Sequence, residues 1–169
     1  MLARVAVIDT SVLIALDHLG LLGYLGSHYE RVLVPSVVRG QLLDAKPEAA
    51  TTAMTVLIDA PPFEPCDQYD LAALEIFKIS LDPGEAEAMA QMQSREADYL
   101  LIDEKKGRRV AKSAGHSIVG TATILAEMHF DGVTNFLDSI KELRAGKQFR
   151  VSERVVTLAF SAALQRRGK

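Results

Sequence analysis

A short apolar strand that ends on a carboxylate constrains the fold of this chain more than any other feature. Residues 4–8 are rich in β-branched side chains, Asp9 follows them, and two hydroxyl residues then lead into an apolar helical segment. A strand followed at once by a helix is typical of parallel sheets, in which ligands bind outside the carboxyl ends of the strands. We therefore expect Asp9 to lie at the edge of a sheet where a binding site can form.

Strands and helices alternate along the rest of the chain. Further strands are predicted at 31–35, 98–102 and 117–119, and Pro35 also suits the first turn of the helix that follows. Helices are predicted at 11–25 (two short ones), 35–42, 69–79, 82–95, 104–113, 121–130 and twice after 133. Residues 46–57 are predicted to be helical, or to end in a short edge strand at 56–58. The proline-rich residues 59–68 are predicted to form a surface loop. This alternation predicts an α/β fold with a parallel sheet.

Length and composition favour one domain. A chain of 169 residues can bury roughly 70% of its extended surface. We therefore expect a single domain over 1–169, with C-terminal helices at 133–169 that pack on the rest of the domain or extend from it.

The net charge of −3 argues against binding nucleic acid by overall charge alone. Cys66 is the only cysteine, which excludes an internal disulfide. A signal-peptide pattern and a membrane-spanning apolar run are both absent from the sequence, so we expect a cytoplasmic protein with no membrane partner.

Carboxylates stand at three places where predicted elements meet. These are Asp9 after the first strand, Glu85 and Glu87 at the start of the helix that Asp82 caps, and Asp103 and Glu104 after strand 98–102. Each has a structural interpretation by itself, because acidic side chains stabilise helix N-termini. Brought together at one sheet edge they would repel one another, and a cation would offset that repulsion. Oxygen ligands without His or Cys favour Mg²⁺ or Mn²⁺ over zinc.

A basic segment follows the last of these carboxylates. It contains Lys105, Lys106, Arg108, Arg109 and Lys112. An isolated basic run is usually a solvated helix face, but beside a metal centre the same charges would bind the phosphates of a nucleic acid. None of the four histidines has a partner at metal-ligand or triad spacing, and phosphate-loop and nucleophile-elbow motifs are absent from the sequence.

Four segments of the chain match a known pattern in order. They read IDTSVLI at 8–14, VPSVVRGQL at 34–42, GEAEA at 84–88 and LLIDEKKGRRVA at 100–111. Together with residues 115–121 and the C-terminal helices, they resemble the PIN domain family, and within it the prokaryotic PIN-like proteins related to VapC-type ribonuclease toxins. The resemblance covers nearly the whole chain.

The resemblance implies a Rossmann-like, three-layer α/β/α sandwich with a central parallel sheet. It also implies an endoribonuclease that depends on Mg²⁺ or Mn²⁺, with Asp9, Glu85 and Asp103 as catalytic residues and metal ligands. The basic segment would bind the RNA substrate. Side chains that would support the ligands or orient water are Thr10, Ser11, Gln41, Asp44, Glu87, Glu104 and Thr121. Toxins of this kind usually have a small antitoxin partner and many are homodimers, so both partners are implied.

One position departs from the family pattern. The family usually has Glu where this chain has Gln41, and an amide offers a ligand oxygen without a negative charge. Asp44 lies three residues further along the same predicted helix, on the same face, and could substitute. Without such a substitute the centre is weakened, to one metal or to none.

Three functions follow from these patterns. The first is a metal-dependent ribonuclease. The alternative is a catalytically degenerate PIN module that binds RNA or a protein partner without cleavage, for which Gln41 is the main support. A phosphotransfer domain with Asp9 as nucleophile ranks last, because Ser11 stands where such enzymes have a second Asp.

Overall fold

A computed structural model describes residues 4–44, 58–94, 97–146 and 149–168 of the chain. The side chains at 43 and 44 are not among those described. The segment 46–57, for which the sequence leaves a helix and a strand open, lies outside the described residues.

The described strands form one sheet, in the order β3-β2-β1-β4-β5. They are β1 Val5–Ile8, β2 Arg31–Pro35, β3 Phe63–Cys66, β4 Tyr99–Leu101 and β5 Ile118–Val119. β1 lies parallel to both β2 and β4, and β2 lies parallel to β3. The prediction of an α/β fold around a parallel sheet is confirmed. Because β1 is central, Asp9 follows the middle strand of the sheet.

Helices connect these strands and close the chain. They are α1 Thr10–His18, a 3-10 helix Leu22–Ser27, α2 Ser36–Asp44, α3 Leu71–Lys78, α4 Pro83–Ser94, α5 Lys105–Ser113, α6 Thr121–Phe130, α7 Phe136–Ala145 and α8 Glu153–Arg167. The chain leaves α5 and α6 through Gly115 and Gly132, whose φ angles of 83° and 74° suit glycine. Among the described helices, none is long and apolar enough to cross a membrane.

The prediction of a loop over 59–68 is wrong in part. Residues Phe63–Cys66 form the edge strand β3, in register with Val32–Pro35 of β2. Pro65 has no N–H to donate, but an edge strand needs hydrogen bonds on one side only, so the proline is tolerated there. Pro35, which the sequence allowed at the end of the strand or in the first turn of the next helix, is the last residue of β2, as the predicted strand 31–35 has it.

Both faces of the sheet are buried. Val7, Leu33 and Leu100 lie side by side on β1, β2 and β4 and pack with Met89 of α4. The next residue along β1, Ile8, points to the opposite face and is also fully buried. Burial on both faces is characteristic of parallel sheets covered by helices on two sides, in the three-layer arrangement.

The chain divides into two compact units, Met1–Ile118 and Val119–Lys169. The second unit contains α6, α7 and α8. Within it the ring of Phe160 packs edge-on against Phe130 and Phe136, with centroid distances of 5.2 and 4.6 Å. The prediction of a single domain with packed C-terminal helices stays a prediction.

Candidate active site

The ends of two adjacent strands bring Asp9 and Asp103 together through Ser11. The Asp9 N–H donates to the Leu101 carbonyl at 2.9 Å, which continues the β1–β4 pairing to the ends of both strands. The Ser11 hydroxyl donates to Asp9 Oδ2 at 2.7 Å and accepts from the Asp103 N–H at 3.2 Å. One hydroxyl therefore fixes the Asp9 carboxylate relative to the Asp103 backbone.

Asp9 is both a helix cap and a buried charge. Its carboxylate accepts from the Ser11 N–H at 3.1 Å and so caps α1. The side chain is only 6% exposed. Burial raises the pKa of Asp9, the hydrogen bonds from Ser11 and Thr10 oppose that shift, and the nearby Asp82 adds to it. Burying a carboxylate costs free energy that helix capping does not require, and such burial is typical of residues with a further function.

Glu85 lies in the first turn of α4 and forms the predicted capping box with Asp82. The Glu85 N–H donates to Asp82 Oδ1 at 2.9 Å, and the Asp82 N–H donates to Glu85 Oε2 at 3.3 Å. The Glu85 side chain is 4% exposed, and its second oxygen, Oε1, is buried without a hydrogen-bond partner among the described residues. Capping therefore uses one oxygen of Glu85. It does not explain why the other oxygen is buried without a hydrogen bond from the described residues.

Four carboxylates influence one another at this edge of the sheet. Burial raises the pKa of Glu85 to about 7, and repulsion from Asp82, Glu104 and Asp9 adds to the shift. We call Asp9, Asp82, Glu85 and Glu104 the acidic cluster. Its excess of negative charge is what a bound cation would offset.

The raised pKa of Glu85 predicts how stability depends on pH when no metal is added. The folded protein holds a proton on Glu85 that the unfolded chain releases near its ordinary pKa of 4.5, so stability falls as pH rises from about 4.5 to 7. Glu85→Gln should flatten this fall, because the amide cannot ionise and can still accept from the Asp82 N–H. We expect Glu85→Gln to be more stable than the native protein at pH 8, by roughly 1–3 kcal/mol.

Urea unfolding followed by circular dichroism at pH 5 and pH 8 measures this difference. The raised pKa of Asp9 acts in the same direction, so some slope remains. Glu75→Gln is a matched control, since Glu75 is exposed on α3 and pairs with Lys78 at the surface. If stability depended on pH equally in Glu85→Gln and in the native protein, the raised pKa of Glu85 would be contradicted.

Gln41 lies beside the acidic cluster and connects three helices. The Thr10 hydroxyl at the start of α1 donates to Gln41 Oε1 at 2.7 Å. A Cβ atom placed on Gly84 at the start of α4 would lie 3.1 Å from the same oxygen. The amide of Gln41 therefore lies between the start of α1 and the start of α4.

Two of the predicted supporting carboxylates have other partners. Glu87 accepts from the Val37 N–H at 2.6 Å, and its charge is a cause of the raised pKa of Tyr69, after burial of that phenol. Glu87 therefore stabilises the N-terminus of α2. Glu104 caps α5 by accepting from the N–H groups of Lys106 and Gly107. It still contributes its charge to the acidic cluster.

Two further predicted supporting residues, Thr121 and Asp44, stay predictions. Thr121 is the first residue of α6 and is fully buried in the second unit, after the N-cap Gly120. The N-cap of α6 is Gly120, which makes no side-chain capping bond. The side chain of Asp44 falls outside the described residues.

The basic segment forms α5. Lys105, Lys106, Arg109 and Lys112 are exposed, whereas Arg108 is half-buried. Arg108 Nη1 donates to the Ile102 carbonyl at 3.0 Å and so anchors the end of β4. Four of the five predicted cations thus face solvent beside the acidic cluster.

The sequence did not assign three residues to the site. Asp82 was interpreted only as a helix cap, although its charge acts on both Asp9 and Glu85. Gly84 and Gly107 lie against the side chains of Gln41 and Glu85. The capping box does signal that Asp82 contacts Glu85, but nothing in the sequence indicates the two glycine contacts.

The chemistry of the donor set fits a divalent cation. Glu85 Oε1 is a buried oxygen to which no described group donates. The negative charges that act on Glu85 belong to other carboxylates, and carboxylate oxygens are the donors that Mg²⁺ and Mn²⁺ prefer. Within the described ranges, no three carboxylate, imidazole or thiol groups are close enough together to hold a metal ion. The negative charge of the site therefore suits a cation, but the described side chains do not form a complete coordination shell.

The fold and the site define an α/β domain with a carboxylate cluster at the carboxyl edge of a parallel sheet. The sequence profile of the PIN domain matches residues 5–165, and the chain belongs to the PIN domain family. No curated protein matches it. PIN domains are generally nucleases that use divalent metals and bind nucleic acid. The closer relation to VapC-type toxins stays a prediction.

Proposed function

We propose that this protein is a divalent-metal-dependent endoribonuclease that hydrolyses RNA phosphodiesters. The observation that supports this most directly is the acidic cluster, in which the buried Glu85 Oε1, unbonded within the described structure, lies next to the basic helix α5. The reaction needs a bound metal cation and a bound phosphate backbone. The mutually repelling carboxylates would bind the metal, and the exposed Lys and Arg side chains of the adjacent helix would bind the phosphates.

Asp9, Glu85 and Asp103 would hold Mg²⁺ or Mn²⁺, and to do so their carboxylates would have to move closer together than they lie in the described structure. When bound, such a cation supplies Lewis-acid activation of water and neutralises charge on the phosphodiester. Ser11 keeps the Asp9 carboxylate and the Asp103 backbone in fixed relation. Asp82 and Glu104 add negative charge around Glu85, which strengthens its attraction for a cation.

The exposed cations of α5 would bind the RNA strand. Lys105 and Lys106 are in its first turn, closest to Glu104, while Arg109 and Lys112 continue along the helix. Contacts of this kind are made to phosphates and give little sequence selectivity. Binding should therefore weaken as the salt concentration increases.

Incubation with single-stranded RNA tests the proposal. We expect cleavage in Mg²⁺ or Mn²⁺ that stops when EDTA is added and resumes when the metal is restored. RNA that stays intact with either metal, at protein concentrations that bind it, would contradict the nuclease proposal.

Gln41 supports the alternative, a PIN module that binds RNA or a protein without cutting. Its amide leaves the site one negative charge short of the usual family pattern, and its Oε1 is already bonded by the Thr10 hydroxyl. In the same assay this function would give retained RNA, detected by gel shift, without products in either metal.

The proposal extends to partners. The resemblance to VapC-type toxins supports a role as the toxin of a toxin–antitoxin pair, with a small antitoxin protein and a homodimeric assembly. Growth arrest on expression in a bacterial host, relieved by Asp9→Asn, would support the toxin role. Normal growth with active protein present would contradict it.

A further inference from the structure

Gly107, in the first turn of α5, lies against the acidic cluster. A Cβ atom at this position would be 2.7 Å from Glu85 Oε1 and 2.5 Å from Ile102 Cδ1. Real Cβ contacts are essentially never shorter than 3.0 Å, so no other residue fits without movement of α5, Glu85 or Ile102. The Glu85 oxygen at this contact is the one that accepts no hydrogen bond from any described residue.

The backbone of Gly107 does not itself require glycine. The residue lies within a regular helix and has no positive φ angle. Glycine weakens a helix relative to alanine, so a glycine there needs a reason outside the helix. Gly40, within α2, gives the contrast. Apart from its chain neighbours and the backbone of its own helix, no atom of the described structure lies within 4 Å of a Cβ placed there.

We propose that Gly107 is a positioning residue for the reaction. Its missing side chain lets the first turn of α5 lie directly on the Glu85 carboxylate, and this contact sets the separation between the RNA-binding cations and the acidic cluster. The inference rests on the proposed nuclease function for its consequence, but the contact itself can be tested separately.

A side chain at this position would disturb both ends of the site. Movement of Glu85 shifts the buried oxygen that would hold a cation. Movement of Ile102 reaches the adjacent Asp103, and movement of α5 displaces Lys105 and Lys106. The Glu104 cap would survive Gly107→Ala, since the substitution keeps the backbone N–H that donates to the Glu104 carboxylate at 3.0 Å.

Thermal unfolding without added metal tests the contact. In a background of Ile102→Val, which removes Cδ1, we expect Gly107→Ala to lower the melting temperature by about 3–10 °C. When Glu85→Ala is added to that background, Gly107→Ala should raise it by about 1–4 °C, as alanine normally does in a helix. Gly40→Ala should raise it in either background. A rise on Gly107→Ala while Glu85 is intact would overturn the proposal.

Calorimetric titration with Mn²⁺ tests the consequence. We expect Gly107→Ala in the Ile102→Val background to weaken Mn²⁺ binding at least about tenfold, a loss typical of disturbed residues around a metal, while Gly40→Ala leaves it unchanged. Equal Mn²⁺ affinity with and without Gly107→Ala would overturn the positioning role. If the native protein binds no Mn²⁺, the nuclease proposal fails. The change in melting temperature caused by Gly107→Ala, a fall with Glu85 and a rise in Glu85→Ala, then still decides whether Gly107 positions Glu85.

Discussion

Asp9→Asn is expected to abolish metal-dependent RNA cleavage, with a loss of more than about 100-fold, and to leave the fold intact. The substitution removes a negative charge from the acidic cluster. It keeps an oxygen that can accept from the Ser11 hydroxyl and N–H, and Asn is as good a helix N-cap as Asp. The loss would therefore come from charge and not from unfolding of α1.

Initial rates of RNA cleavage and a Mn²⁺ titration of the same preparations measure this effect. Asp70→Asn is the matched control, because Asp70 caps α3 in the same way, accepting from the Ala72 N–H at 2.8 Å. It should cleave at the native rate. Cleavage by Asp9→Asn within about threefold of native, with the melting temperature unchanged, would show that Asp9 only caps a helix.

Gln41→Glu is expected to tighten Mn²⁺ binding by at least about tenfold. A close opposite charge shifts a pKa by about 1–3 units, and one unit corresponds to a tenfold change in a binding constant. The new carboxylate would lie beside Gly84 and could still accept from the Thr10 hydroxyl. Without metal the same change should lower the free energy of unfolding by roughly 1 kcal/mol, because it adds repulsion to the acidic cluster.

The opposite signs of these two effects make the prediction specific. Urea unfolding with and without Mn²⁺ gives both quantities from one preparation. Gln93→Glu adds the same charge at an exposed position on α4 and should change neither by a measurable amount. Unchanged Mn²⁺ affinity in Gln41→Glu would indicate that the amide position is not part of the cation site.

Local rules predicted most of the helices and strands. The start of α4 is the clearest case, because Asp82, Pro83 and Glu85 occupy N-cap, first and third positions, and the structure has the reciprocal bonds of a capping box. The edge strand β3 was missed because three prolines within ten residues indicate a loop. Only pairing with β2, which is remote in sequence, made that segment a strand.

The two glutamates of α4 illustrate what local rules leave open in the site. Glu85 and Glu87 both lie near the helix N-terminus, and the sequence offered both as candidates. Residues two apart on a helix point in nearly opposite directions, so they cannot serve one site. Which of them faces the acidic cluster depended on how α4 packs, and Glu87 bonds instead to the N-terminus of α2.

The sequence by itself determined the parallel α/β fold and the carboxylates at the ends of its strands, because strand periodicity, capping and the order of elements are local properties. Asp9 and Asp103 were found in this way. The contact of Glu85 with Gly107, the charge that Asp82 adds and the bond from Thr10 to Gln41 were decided only by tertiary structure. Each depends on the distance between atoms of different elements, and such distances are set by packing of the whole core.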